Sequence, residues 1–215
     1  MNSRAPLLAV ILAAGDSRRF GSDKRRARTA AGASLLEASL AALDGHVGAV
    51  YVAIRPDDVI NSSWPDSLPA TAVHYVSAPR SAQGMGCSLA DTVRQLPPDC
   101  DVLVALADMP FIRSETIAQL VQRYRQSTLD APIAYPYCVS PAQKGETAAN
   151  PAGKAPRRGH PVIFHRAYRA ELEALQGDQG ANRIIAAHPA MHEALEVQDP
   201  GVLLDVDQPS DLRNG

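Results

Sequence analysis

Apolar positions along this chain recur in two alternating periods, and the alternation predicts the fold. Leu7–Ala13 is apolar throughout, the pattern of a strand buried on both faces. Between 34 and 43 the period changes: Leu35, Leu36, Leu40 and Leu43 fall at helical spacing, with Ser34 as N-cap. Ala49–Ile54 predicts a second strand and Val73–Val76 a short third. Met85–Leu96 predicts a helix that Pro97-Pro98 ends. Val102–Ala107, apolar at every position, predicts a central strand, and Ser114–Arg125 a helix capped by Ser114. Further strands are predicted at Ile133–Tyr137, Val162–Phe164, Ala194–Val197 and Val202–Val206, and short helices at Ala167–Leu175 and Ala181–Ala187. Strand–helix alternation of this kind predicts an α/β fold: three layers around a mostly parallel sheet.

Residues 140–156 break the pattern. They are Pro, Ala, Gly, Lys, Gln, Glu and Thr with almost nothing to bury. The expectation is a mobile loop inside one domain spanning 1–215, not a boundary. It reads either as a flap over a substrate or as an inert insertion, and its own residues favour the insertion.

Composition narrows the partners. A chain of 215 residues makes one large domain or at most two small ones. Its net charge of −2 gives no general attraction to nucleic acid. The basic residues are local instead: Arg18, Arg19, Lys24, Arg25, Arg26 and Arg28, then Arg157-Arg158. Such clusters suit a small anion. Cys87, Cys100 and Cys138 are far apart and form no C-x-x-C pair, so neither a disulfide framework nor a zinc site is expected. His188 and His192 are four apart, but Pro189 interrupts any shared helix. Met1–Pro6 lacks the pattern of a signal peptide, and no apolar run is long enough to cross a membrane. A soluble cytoplasmic protein is the expectation.

The chemistry begins at the end of the first strand. Leu12-Ala13-Ala14-Gly15-Asp16-Ser17-Arg18-Arg19 leads on to Lys24. A turn at a strand's C-terminal edge can aim backbone N–H groups at an anion. Arg19 and Lys24 can then hold a polyphosphate, one as a fork and the other as a point charge. The spacing from Gly15 to Gly21 and Lys24 is not a Walker P-loop, and no G-x-G-x-x-G turn is present.

Carboxylates stand where a metal would be needed. Asp108 directly follows the Val102–Ala107 strand and precedes Met109-Pro110, placing it at the same sheet edge as Gly15. Asp205 and Asp207 follow Gly201-Val202-Leu203-Leu204 and share a face if the strand continues through them. Mg²⁺ prefers one or two carboxylates plus phosphate oxygens and water. A lone Asp after a strand is otherwise a turn or cap residue, a reading that Ser114 weakens for Asp108 and that stays open for Asp205. Between these segments, Arg80-Ser81-Ala82-Gln83-Gly84-Met85-Gly86-Cys87-Ser88 is a glycine-spaced loop opening a helix. Its glycines would let the backbone approach a flat ligand, and Ser88 lies in a first turn where N–H groups are free. The plain alternative is a strand-to-helix connection. Cys87 reads as a packing residue, not a nucleophile.

Together these motifs resemble the molybdenum cofactor cytidylyltransferase family. Leu12–Lys24 matches the opening L-A-[AG]-G-x-[ST]-x-R-[FM]-G-x-x-K, and Gly84–Leu89 the G-M-G-x-S-L loop. Leu106–Phe111 matches L-x-D-x-P-[FY], Arg157–Val162 matches R-R-G-H-P-V, Gly177–Ala181 matches G-D-x-G-A, and Asp205–Leu212 matches D-V-D-x-P-x-D-L. The resemblance implies a Rossmann-like fold of the nucleotide-diphospho-sugar transferase type. It implies a nucleotide site at Leu12, Ala13, Ala14, Gly15, Ser17, Arg19, Lys24, Arg80, Gly84, Gly86 and Ser88. It implies Mg²⁺ on Asp108 and Asp207, with Arg19, Lys24 and Asp108 catalytic. Ala14, where some relatives carry glycine, implies CTP over GTP, because a methyl group narrows the base pocket. The acceptor would be a phosphorylated pterin, molybdopterin, held by Arg158 and His160, although His160 reads equally as a turn residue. A molybdenum enzyme or its chaperone would receive the product. Two departures from the pattern, the basic Arg25–Arg28 run and the long 140–156 segment, flank the acceptor side. Rival expectations are a sugar-phosphate or other small-phosphate nucleotidyltransferase, a GTP-using relative and a non-catalytic cofactor carrier.

Overall fold

The computed structural model describes residues 5–15, 20, 23–58, 65, 67–138 and 156–213. Ser17, Arg19 and the 140–156 segment apart from Pro156 lie outside the described residues. Strands β1 (Leu7–Leu12), β2 (Ala49–Ile54), β3 (Ala72–Ser77) and β4 (Asp101–Leu106) run parallel in the order β3-β2-β1-β4. Beyond β4 the sheet continues through β7 (Val162–Phe164), β5 (Ile133–Cys138) and β6 (Arg157–Arg158). β7 is antiparallel to both its neighbours, and β8 (His192–Glu196) pairs parallel to β5. The sheet is therefore mixed but mostly parallel, as the strand–helix alternation predicts.

Successive residues of β1 face opposite layers. Leu7, Ala9 and Ile11 pack with Leu36, Leu40 and Leu43 of α1 (Leu35–Leu43) and with Ile117 and Leu120 of α3 (Ser114–Gln126). Leu8 and Val10 turn to Leu89 and Val93 of α2 (Met85–Val93), Leu172 of α4 (Arg169–Glu173) and Ile184 and Ile185 of α5 (Asn182–Ala187). Burial on both faces is why β1 and β4 read as unbroken apolar runs. No helix among the described residues is long and apolar enough to cross a membrane.

Two local expectations hold and two change. Ser34 closes a capping box with Glu37, each side chain accepting from the other's backbone N–H. The α2 helix ends at Val93, just short of the proline pair. Ser114 does not cap α3; its hydroxyl bonds His46 Nε2 at 2.8 Å instead. Buried Asp199, distant in sequence, does that work, accepting from Arg113 N–H at 2.9 Å and the Thr116 hydroxyl at 2.6 Å. The strand predicted at Val202–Val206 is absent. Asp199 and Pro200 start a 3₁₀ turn over Pro200–Leu203, because the Asp199 side chain accepts from Gly201 N–H and Pro200 pre-sets the turn.

One carboxylate thus joins α3 to the chain's last segment. Asp199→Ala is expected to lower the unfolding free energy by about 2–3 kcal/mol, since several donors lose a charged acceptor in a buried site. The measurement is the urea midpoint at unchanged slope; an unmoved midpoint would remove Asp199 from what holds α3.

Candidate active site

Register decides what meets what. Leu12 of β1 lies opposite Leu106 of β4, and Ala107 N–H donates to the Leu12 carbonyl at 3.2 Å. Parallel strands aligned in this way release Gly15 and Asp108 at one sheet edge. Between them and the start of α2 opens a cleft of about 480 Å³. Leu12, Ala14 and Gly15 form one wall, residues 81–85 and Ser88 another, and Asp108 sits at its end. Ala14 is buried against Ala53 and Ala78, which leaves small side chains at that corner.

The carboxylates gather around one cation. Lys24 opens a 3₁₀ turn at Lys24–Arg26 whose N-cap is Asp23. Its Nζ donates to Asp108 Oδ2 at 2.8 Å and reaches Asp207 Oδ1 at 3.4 Å. Asp207 arrives because Val206 N–H donates to the Asp108 carbonyl at 2.8 Å, tying the last segment to the turn after β4. Asp205 is exposed, and no strand continues through 205–207 to place both carboxylates on one face. Asp108 Oδ1 is buried without a hydrogen-bond partner. A buried carboxylate oxygen left bare is costly, so this atom fits a cation ligand, with Asp207 as the second donor. No group of three or more His, Cys, Asp or Glu suited to a metal occurs among the described residues. A pair of carboxylates matches the sparse protein ligation of Mg²⁺ on a phosphate substrate.

The α2 loop owes its glycines to the protein itself. Gly84 has φ +121°, and a Cβ there would collide with Gly177 and Asp178. Gly86 N–H donates to the Gly177 carbonyl at 2.8 Å, and Met85 N–H to Asp178 Oδ1 at 3.3 Å. Close approach of the 176–178 segment is enough to exclude larger residues at both positions. Gly84 also lines the cleft, while Gly86 faces that segment. Arg80 lies outside the cleft wall: its guanidinium pairs with buried Asp91 at 2.6 Å, and its N–H bonds the same carboxylate. The placement makes Arg80 a brace for the 81–84 turn.

Arg158 is exposed, bonds Asn182 Oδ1 at 2.7 Å and lies over the Tyr135 ring. His160 has Nδ1 buried and unpartnered. Burial pulls its pKa below the usual histidine value, against a hydrogen bond to the Val104 backbone and the nearby Asp108 charge. Burial thus favours the neutral form of the ring. Both readings of His160 keep an observation: its backbone N–H donates to the Val202 carbonyl at 3.0 Å, and one ring nitrogen is unused.

The sequence matches the family described as the MobA-like NTP transferase domain over residues 9–194. The chain belongs to this family. It is 30% identical to a probable molybdenum cofactor guanylyltransferase of Chloroflexus aggregans over 214 residues, covering 95% of this chain and 90% of that protein. It is 31% identical to the bifunctional protein GlmU of Bifidobacterium adolescentis over 123 residues, a stretch spanning 55% of this chain and 27% of that protein's length. Among solved structures, the homolog of Mycobacterium tuberculosis Rv0371c from Mycobacterium sp. strain JC1 superposes with a TM-score of 0.68 at 25% identity, covering 99% and 96% of the two chains. A CMP:2-keto-3-deoxy-manno-octonic acid synthetase complexed with CTP gives 0.70 at 13% identity, covering 99% and 96%, and so speaks to the fold alone. The MobA-like domain therefore has the nucleotide-diphospho-sugar transferase fold.

Several positioning residues of this MobA-like domain escape a reading of motifs. Arg25, from the basic run assigned to the acceptor side, is buried and bonded to Asp23, Asp58 and the Ala13 carbonyl. Asp58 and Asp91 lie in no motif; only an unexplained acid near an arginine in the folded chain identifies them. Burial opposes the charged form of Asp58, but hydrogen bonds from Arg25 and Arg55 outweigh it and hold the carboxyl well below the usual carboxylate range. A depressed folded-state pKa contributes stability that is complete above the unfolded value, about 3.9, and is lost as pH falls below it. Stability is therefore expected to decline below about pH 4, and Asp58→Asn to flatten part of that decline. Denaturant midpoints across pH 2–7 check this; identical profiles for the two proteins would refute it.

Proposed function

We propose that this MobA-like domain transfers a cytidylyl group from CTP to the terminal phosphate of a phosphorylated pterin, the molybdopterin type, releasing pyrophosphate. The observation carrying this reading is the convergence of Lys24, Asp108 and Asp207 at the end of the cleft that Gly15 opens. The attacking phosphate is already an anion at neutral pH, so no general base is needed. Positioning and charge neutralisation then carry the catalysis. Asp108 and Asp207 would hold Mg²⁺, which supplies positive charge against the phosphate oxygens; the bare Asp108 Oδ1 supports this assignment. Lys24, with Arg19 of the same motif, neutralises the leaving pyrophosphate. The Gly15 turn and the Ser88 end of α2 line the nucleotide's cleft. Arg158 and His160 face the acceptor, the neutral imidazole offering a hydrogen-bonding nitrogen without charge. The reaction is assigned to the cytoplasm, with delivery of product to a molybdenum enzyme or its chaperone.

CTP is favoured by Ala14, whose methyl group adds bulk at the small-residue corner of the cleft. A second reading, GTP, is favoured by the name of the Chloroflexus aggregans relative, a probable guanylyltransferase. Thermal shifts with Mg²⁺ and each nucleotide separate the two, because a ligand that binds only the folded state raises Tm. CTP is expected to give the larger shift, and Ala14→Gly to narrow its lead over GTP. A larger shift with GTP in the unaltered protein would reverse the donor.

Pyrophosphate release with a panel of phosphorylated pterin and sugar acceptors tests the transfer itself. Asp108→Ala is expected to cut turnover at least about 100-fold in a folded protein, the scale of losing a key electrostatic group in an active site. Near-normal release from that variant would remove Asp108 from the chemistry. Tight CTP binding with no release on any acceptor would point to a carrier.

A further inference from the structure

Lys24 and Arg25 are consecutive, yet their side chains serve opposite sides of one turn. Lys24 donates to Asp108, which lines the cleft. Arg25 turns inward and is only 5% exposed. Its Nε and Nη2 donate to Asp23 at 2.8 and 2.7 Å, its Nη1 and Nη2 to Asp58 at 2.6 and 2.7 Å, and Nη1 also to the Ala13 carbonyl at 3.1 Å. Asp58 is itself fixed by Arg55, through the guanidinium and the backbone N–H, both at 2.8 Å. One planar fork therefore ties three segments: the end of β1, the turn carrying Lys24 and the loop after β2.

Stability alone does not account for this arrangement. Replacing a buried ion pair with packed apolar residues is often neutral or stabilising, because desolvating the charges offsets their attraction. What an apolar side chain lacks is direction. The guanidinium's donors lie in a fixed plane, so satisfying two carboxylates and a carbonyl together sets the mutual placement of their segments. Those segments carry the Ala14–Gly15 wall and the Lys24 ammonium. A lysine at position 25 would have charge but no fork.

We infer that Arg25 is a positioning residue: it sets the register between the Gly15 turn and Lys24, and so the affinity of the cleft for triphosphate. This inference rests on the reading of the cleft as a nucleoside triphosphate site. It also reassigns part of the basic run from acceptor contact to the nucleotide side.

The test is calorimetric binding of CTP with Mg²⁺, with GTP run in parallel, beside thermal melts of each variant. Arg25→Lys, and the apolar pair Arg25→Met/Asp58→Leu, are expected to weaken CTP binding roughly 10- to 100-fold, within the range by which residues of one hydrogen-bond network couple. The apolar pair is expected to keep most of its melting temperature. Should the pair fail to fold, Asp58→Asn is measured alone and combined with Lys24→Met. If Arg25 acts through Lys24, Asp58→Asn weakens binding in the natural background and adds little once Lys24 is gone, the non-additivity of coupled residues. Folded variants that bind CTP as tightly as the unaltered protein, or Asp58→Asn losses equal in both backgrounds, would reduce Arg25 to a structural brace. An unaltered protein that binds neither nucleotide would instead remove the triphosphate reading, and this role with it.

Discussion

The site depends on the parallel pairing of β1 with β4, in register from Leu7 opposite Asp101 to Leu12 opposite Leu106. Two parallel strands end at the same edge of a sheet, and whatever follows them in sequence emerges there together. Gly15 and Asp108, far apart along the chain, become neighbours for that reason. The pairing is held by burial on both faces: Ala9 and Ile11 against one helical layer, Leu8 and Val10 against the other. A shift of one residue would exchange those faces, so the core that stabilises the sheet also sets the geometry of the cleft.

Around that edge the protein uses long-range polar ties where motifs suggest local ones. Asp199 supplies the cap that Ser114 does not, and Val206 N–H brings Asp207 to Asp108. Arg25 ties the end of β1 to the Lys24 turn and the loop after β2, while Arg80 and Asp91 brace the turn on the α2 side. The 176–178 segment presses against Gly84 and Gly86 closely enough to exclude a Cβ. Each tie costs desolvation of a charge or a restriction to glycine. Their common result is a cleft with fixed walls, suited to chemistry that works by positioning and charge neutralisation.

Much of this was legible in the residues. The strands β1, β2 and β4 stood out because they are buried on both faces, and α1 because its leucines fall at helical spacing behind the N-cap Ser34. Asp108 was visible because it directly follows a central apolar strand, at the sheet edge that Gly15 also reaches. The end of the chain misled: Val202–Val206 is apolar at four of five positions like a strand, yet Asp199 and Pro200 fold its start into a turn. Arg25 misled for a related reason. A basic run reads as a solvated, ligand-facing patch, and nothing near it in sequence reveals that one member is buried against Asp58.

By itself, the amino-acid order determined the elements with strong local signals, the layered α/β class and the residue types available for phosphate and metal. Those are short-range properties, set by periodicity, capping and turn chemistry within a few residues. Tertiary structure alone decided which cations face the cleft and which are consumed as braces, which glycines serve the backbone, and which carboxylate reaches Lys24. The physical reason is that a charged side chain's role depends on its partners and its burial, and both are supplied by segments dozens of residues away.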